Sequence, residues 1–390
     1  MYNVINSERI PVKLWLDDLE GKAMEQALNL AKLPFAFHHV AIMPDGHCGY
    51  GMPIGGVLAT FDVVIPNAVG VDIGCGMRAV RTSIKEYDAE RLKKVKALIQ
   101  ERIPVGFNHH KDKQTWDKFQ DAPELNIVQQ ELQSAQYQLG TLGGGNHFME
   151  IQADLNGHVW LMLHSGSRNF GLKIANYYHN IAKDRCTRWY SEIPDPDLAF
   201  LPKDTPEYAE YMDAMLYALE FAEESRARMM IAMISAVTDV FPTAMFDDPI
   251  DVHHNYARYE HHFGKNVIVH RKGATSAQED ELGIIPGSQG TASYIVRGLG
   301  NPESFMSCSH GAGRCMGRKE AQRTLNLANE IKRLDDAGVI HDICTTQDLD
   351  EAAGSYKDID AVMAHQTDLV RVVEVLKPLA VIKAKTKTNQ

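Results

Sequence analysis

Asp72 and Cys75 stand three residues apart in V-G-V-D-I-G-C-G-M, between glycines. A carboxylate and a thiolate presented by one tight turn can bind one metal ion together. G-G-G-N-H-F-M-E carries Asn146, His147 and Glu150, and W-L-M-L-H-S-G-S-R carries His164 and Arg168. A histidine leaving an apolar strand into a Gly-Ser-Arg loop is placed as a metal ligand, with the arginine as a phosphate contact. D-V-H-H-N-Y holds His253 and His254, of which an extended backbone turns one inward. In C-S-H-G-A-G-R-C-M-G-R-K, His310 precedes Gly-Ala-Gly, Arg314, Arg318 and Lys319. The glycines free backbone N–H groups for an anion and the cations balance phosphate charge. His310 could be a ligand or a nucleophile, because neutral imidazole can attack phosphorus and form a phosphoramidate. His147 and His164 alone read equally well as core residues bonded to backbone, His253 and His254 as a surface pair, and Cys75 as an ordinary buried thiol. His261 and His262, with polar flanks, read as surface residues.

Together these pieces suggest Asp, Cys and three His around metal, ringed by phosphate-binding loops. That set fits phosphoryl or nucleotidyl transfer assisted by two divalent ions. Neither G-x-x-x-x-G-K-[ST] nor K-x-D-G occurs, so a P-loop ATPase and a lysine-nucleophile nucleotidyltransferase are disfavoured and His310 is the best covalent candidate.

The elements that must position these residues read as mixed α/β. Helices are expected at 22–33, 89–103, 123–139, 206–240, 318–337 and 358–376, and strands at 35–43, 55–65, 159–163, 266–270 and 293–296. The order lacks the regular alternation of a doubly wound sheet. No linker divides the chain, so 1–390 is expected to be one domain, with a helical insertion at about 185–250 and a tail at 384–390. The 390 residues carry 40 Lys plus Arg against 51 Asp plus Glu, a net charge of −11, which argues against a broad nucleic-acid-binding face but not a local basic cleft. Six scattered cysteines without C-x-x-C suggest a reducing compartment, no apolar run is long enough for a membrane span, and no signal peptide is visible; the expected location is cytoplasmic.

M-P-D-x-H, V-G-V-D-I-G-C-G-M, G-N-H-F, L-H-S-G-S-R, H-H-N-Y, P-G-S-x-G, S-H-G-A-G-R and Y-K-D-I-D-A-V-M follow one another from about Pro11 to Lys383. In this order they resemble the RtcB family of GTP-dependent RNA ligases. The resemblance implies packed β-sheets surrounded by helices. It implies joining of RNA 3′-phosphate or 2′,3′-cyclic phosphate ends to 5′-hydroxyl ends, in RNA repair or tRNA splicing, with two Mn²⁺ and GTP. It further implies that Asp72, Cys75 and His147 hold one Mn²⁺ and that Cys75, His164 and His254 hold the other. His310 would take GMP and pass it to the RNA, giving RNA–(3′)pp(5′)G. Nucleotide contacts would come from Asn146, His147, Phe148, Met149, Glu150, His254, Asn255, Pro286, Gly287, Ser288, Gln289, Ser293, His310, Gly311, Ala312, Gly313 and Lys383, with Glu150, Ser293 and Lys383 on guanine. Arg168, Arg314 and Arg318 would face RNA phosphates.

The sequence departs from the family's pattern at Gly46, Gln289, Asn169 and Gly317, and seven residues follow Lys383. None of these removes a ligand or the nucleophile. The competing reading is a metal-dependent RNA-end phosphohydrolase that has lost joining, which would need neither His310 nor Lys383.

Overall fold

The computed structural model describes residue 1 and residues 3–384; the expected tail, apart from Ala384, lies outside the described residues. Among the described residues two sheets dominate. One runs Asn3–Ile5, Val12–Leu14, Ala36–Tyr50, Met52–Thr60, Lys265–Lys272, Asn255–His262, antiparallel except where Val12–Leu14 meets Ala36–Tyr50. The other runs Ile250–His253, Gly76–Arg81, Val159–Ser165, Phe148–Asp154, Val370–Ile382, Ser293–Gly298, Leu282–Ile285, antiparallel throughout. The fold is mixed α/β, with packed sheets flanked by helices.

Alternation along the strands explains the layering. In the first sheet Val40, Ile42 and Leu58 face the helix Gly21–Lys32 through Ala23, Ala27, Leu30 and Ala31. The opposite face, with Ala41, Met43, Val57 and Val269, meets Ile285, Tyr294 and Val296 of the second sheet. In the second sheet Leu161, Leu163 and Met149 pack under the helices Ala89–Arg102 and Pro206–Val240. Trp160 and Met162 face the other way, with Met77, Phe148 and Leu376. His164 continues that second face by alternation, at the strand's end.

Helix boundaries follow local chemistry. Leu33, extended before Pro34, ends the first helix. Asp88 caps Ala89–Arg102 by accepting from the Arg91 N–H at 2.8 Å. Thr205, followed by Pro206, starts a helix that runs unbroken to Val240, with Tyr217 buried on its packed side.

Two expected helices are corrected. The stretch 318–337 forms Arg318–Thr324 and Leu327–Asp336, because Asn326 Oδ1 accepts from the Asn329 N–H at 3.0 Å and starts a new helix. The stretch 358–376 is helical only over Ile359–Ala364; Val370–Ile382 is a strand hydrogen-bonded on both sides. Its β-branched Val370, Val372, Val373 and Val375 favour the pleated backbone. This strand positions the C-terminal lysine: Val381 pairs with Glu150, so Lys383 lies just beyond that carboxylate's register.

Candidate active site

The chain passes from one sheet to the other at His254, between Ile250–His253 and Asn255–His262. Gly76 pairs with both His253 and Ser165, and the His254 N–H donates to the Cys75 carbonyl at 2.9 Å. Phe148 pairs with His164. Strand register therefore brings Cys75, His147, His164 and His254 to one end of the second sheet, where it meets the first.

Their side chains converge. Cys75 Sγ lies 3.1 Å from His164 Nε2 and 3.4 Å from His147 Nε2. His164 Nε2 lies 3.3 Å from His254 Nε2, and His147 Nε2 lies 2.9 Å from Asp72 Oδ2. Cys75, His147 and His164 form a buried group able to hold a metal ion. A Cβ at Gly166 would overlap the Asp72 carboxylate, so only glycine admits that approach.

The donor chemistry fits divalent ions. The His164 Nδ1–H donates to the Asn146 carbonyl at 3.2 Å, which leaves the Nε2 lone pair facing Cys75 and His254. Metal-ligating histidines are oriented this way, by a partner on the other ring nitrogen. Burial pushes the His164 and His254 rings well below the usual imidazole range, so they are neutral donors. Burial and then Asp72 push the Cys75 thiol well up. Burial also disfavours ionised Asp72, yet His147, Cys75 and Arg168 hold its carboxyl below the ordinary range.

His310 follows the short strand Ser307–Ser309 and its ring centroid lies 4.8 Å from that of His254. Its Nδ1–H donates to Asp45 Oδ2 at 2.6 Å, and its backbone N–H donates to the same oxygen at 3.1 Å. The Asp45 carboxylate is buried; burial opposes its charge, but His310, His47 and Lys357 hold it below its usual range. The bond places the His310 proton on Nδ1 and leaves Nε2 as a nucleophile. A Cβ at Gly313, which has φ +73°, would overlap the Asp45 backbone.

Beside His310 opens a cavity. Asn146, Phe148, Glu150, Pro286 to Gln289, Gly311 to Gly313 and Lys383 line it. Glu150 Oε2 accepts from the Gln152 amide at 2.5 Å, and that amide also donates to Ser293 Oγ at 3.1 Å. Burial, only partly offset by Gln152 and Lys383, raises the Glu150 carboxyl to about 7. Lys383 Nζ sits 5.8 Å over the Phe148 ring.

Several expected contacts lie elsewhere. Met149 points into the apolar core on the opposite strand face. Asn255 does not line this cavity: its amide donates to the Asp72 carbonyl at 3.0 Å and its Oδ1 accepts from the Gly273 N–H at 2.8 Å, bracing the ligand loop. Arg168 donates to Thr141 Oγ1 at 3.0 Å and to the Gly106 carbonyl at 2.6 Å. Arg314 and Arg318 both pair with buried Glu351, at 3.0 and 2.6 Å, so they line the cavity wall with their charge partly engaged. Gln289, where the family pattern has an apolar residue, is buried and donates to the Glu351 carbonyl at 2.8 Å. His262 is buried against Glu260, at 2.8 Å, which corrects its reading as a surface residue.

Sequence reasoning assigned no role to Asp45, Glu351 or Arg226. Asp45 stood within a quoted motif; the other two carried no local signal. Arg226, fully buried on Pro206–Val240, donates to the Gly74 carbonyl at 2.8 Å, to the Ser165 carbonyl at 3.1 Å and to Asp251 at 2.6 Å. One guanidinium thus clamps the segments next to Cys75, His164 and His254. Arg226→Ala should destabilise the fold by about 3 kcal/mol, the low end for breaking a buried pair because Arg78 still reaches Asp251 at 3.0 Å. Urea unfolding measures this; a loss below about 1 kcal/mol would mean that the clamp bears little of the fold.

The family profile described as tRNA-splicing ligase RtcB matches residues 26–384. The RNA-splicing ligase RtcB of Escherichia coli (strain K12) is 40% identical, covering 98% of this chain and 99% of its own length. The tRNA-splicing ligases RtcB of Thermococcus kodakarensis and Aeropyrum pernix are 31% and 32% identical, each covering 96% of this chain and 95% of their own.

Proposed function

From the premise that this chain belongs to the RtcB family, we propose that it is an RNA ligase of tRNA splicing or RNA repair. It joins 3′-phosphate or 2′,3′-cyclic phosphate ends to 5′-hydroxyl ends, consuming GTP. The observation that carries the reading is the placement of His310, fixed by Asp45 beside both the Cys/His cluster and the cavity that ends at Glu150 and Lys383.

Asp72, Cys75 and His147 would hold one Mn²⁺, and Cys75, His164 and His254 a second. When bound, the ions polarise phosphoryl oxygens and neutralise developing charge. The remaining work falls to the chain. Glu150 accepts from the donor edge of guanine, which adenine lacks; Ser293, whose oxygen already accepts from Gln152 and the Gly287 N–H, donates its O–H to the base, and Lys383 supplies a cation beside them. His310 Nε2 attacks the α-phosphorus of GTP; an N–P bond forms and pyrophosphate leaves. A 2′,3′-cyclic end first takes up one water, which forms a P–O bond as the P–O2′ bond breaks and the 2′-oxygen leaves as a hydroxyl, giving the 3′-phosphate. An oxygen of the RNA 3′-phosphate then attacks the phosphorus on His310, the P–N bond breaks and neutral imidazole returns. The 5′-hydroxyl attacks the RNA phosphorus and gives its proton to solvent, the P–O bond to GMP breaks, and GMP departs. Throughout, Asp45 keeps the imidazole aimed and in one tautomer.

The deciding assay offers the full chain Mn²⁺, GTP, a cyclic-phosphate RNA and a 5′-hydroxyl RNA. A joined strand that requires GTP is the expected product. A free 3′-phosphate that never joins would instead identify a phosphohydrolase. No membrane partner is proposed: among the described residues no helix is long and apolar enough to cross a bilayer.

A further inference from the structure

A second cavity opens beside the cluster. Buried Cys75, His254 and Lys272 line it together with Asp72 and the exposed Lys22 and Tyr50. Among the described residues it shares with the first cavity only Ile54, Asn146, His310 and Arg318. His310 therefore stands in a partition, with the guanine-side cavity on one hand and an unassigned cavity on the other.

Tyr50 ends the strand Ala36–Tyr50, before the turn at Gly51 into Met52–Thr60. Its side chain is 68% exposed, yet its carbonyl accepts from the buried Lys272 Nζ at 2.6 Å. Lys272 also donates to the Asn67 carbonyl at 2.9 Å, which ties this turn to the helix Pro66–Val69. Single exposed aromatics are common and need no explanation. This one differs in having an anchored backbone at the mouth of a cavity that ends on reacting groups. An exposed ring on a fixed backbone is a stacking platform for a nucleobase.

Charge selects the occupant. The chain carries a net −11, but this cavity is lined by the exposed Lys22 and by Arg318, with Lys272 buried behind Tyr50 on the Tyr50 and Asn67 carbonyls. Of the two ends to be joined, one bears a terminal phosphate and the other an uncharged hydroxyl. We propose that the second cavity receives the phosphate-bearing 3′ end of the RNA, with Tyr50 stacked on its terminal base and Lys22 beside the adjoining backbone phosphate. The two substrates then reach His310 from opposite sides. This assignment rests on the ligase reading for its substrate class.

The test is direct binding of a short, dye-labelled 3′-phosphate oligoribonucleotide to the full chain, followed by fluorescence anisotropy without GTP. Tyr50→Ala should weaken binding about tenfold or more, the range for loss of one stacked base. Tyr50→Phe and Tyr50→Trp should stay within about threefold of the parent, since both keep a π-face and report a folded protein. An oligonucleotide abasic at its 3′ terminus should bind Tyr50→Ala and the parent alike. Equal binding of Tyr50→Ala and parent to the intact strand would overturn the assignment. So would an equal Tyr50 dependence for a strand ending in a 3′-hydroxyl. Tyr50-dependent binding by a protein that never joins ends would keep the site and refute the ligase reading, so the two failures are separable.

Discussion

His310→Ala is expected to abolish the covalent GMP adduct and, with it, all joining. Incubation with Mn²⁺ and α-labelled GTP followed by denaturation should leave acid-labile label on the parent chain and none on the variant. The expectation comes from position: among the described residues, His310 is the imidazole lining both cavities. Asp45→Asn is the finer probe of the same step. An asparagine amide preserves shape but can turn an N–H towards Nδ1, favouring the wrong tautomer; in a comparable carboxylate–histidine pair this costs on the order of 10⁴-fold in rate. Adduct formation by Asp45→Asn should therefore be slowed by a comparable factor. Label that persists in His310→Ala would remove the proposed chemistry altogether.

Cys75→Ala should abolish uptake of metal at the cluster. The thiol lies within 3.4 Å of two imidazole Nε2 atoms, and no other described residue puts sulfur there. Cobalt titration reads this directly, because thiolate ligation gives an intense charge-transfer absorption that histidine and carboxylate do not. The parent should show the band and bind the ion, and the variant should show neither. The same titration should respond to acidity. Burial and Asp72 keep the thiol protonated in the absence of a cation, so binding must release a proton and affinity must fall as pH falls. A variant that still takes up two ions with full affinity would overturn the assignment of Cys75 as the shared ligand.

Asp72, Cys75, His147 and His164 stood out in the sequence as candidate ligands because each lies in or beside a glycine-rich turn at a strand end, whereas His254, in D-V-H-H-N-Y with no glycine, was singled out from His253 only through the resemblance. Strand register was not legible, and register is what unites them: nothing local says that Gly76 pairs with both Ser165 and His253. Helices with strong caps, such as Ala89–Arg102 and Pro206–Val240, were found within a residue or so of their ends. Val370–Ile382 was missed because its valines, of which Val372 and Val373 are exposed, also fit a helical stripe. Buried charges were the other blind spot. Arg226 and Glu351 look like solvated helix and loop residues in the sequence, and only tertiary contacts reveal them as clamps.

The passage between the sheets leaves no slack. A single residue, His254, separates pairing with Gly76–Arg81 from pairing with Lys265–Lys272. Adding or deleting one residue there cannot be absorbed as loop length. It would have to invert inward and outward side chains along one of the two strands. Residues 250–262 thus act as a ruler whose gradations are fixed, while length changes elsewhere in the chain can be carried by its turns.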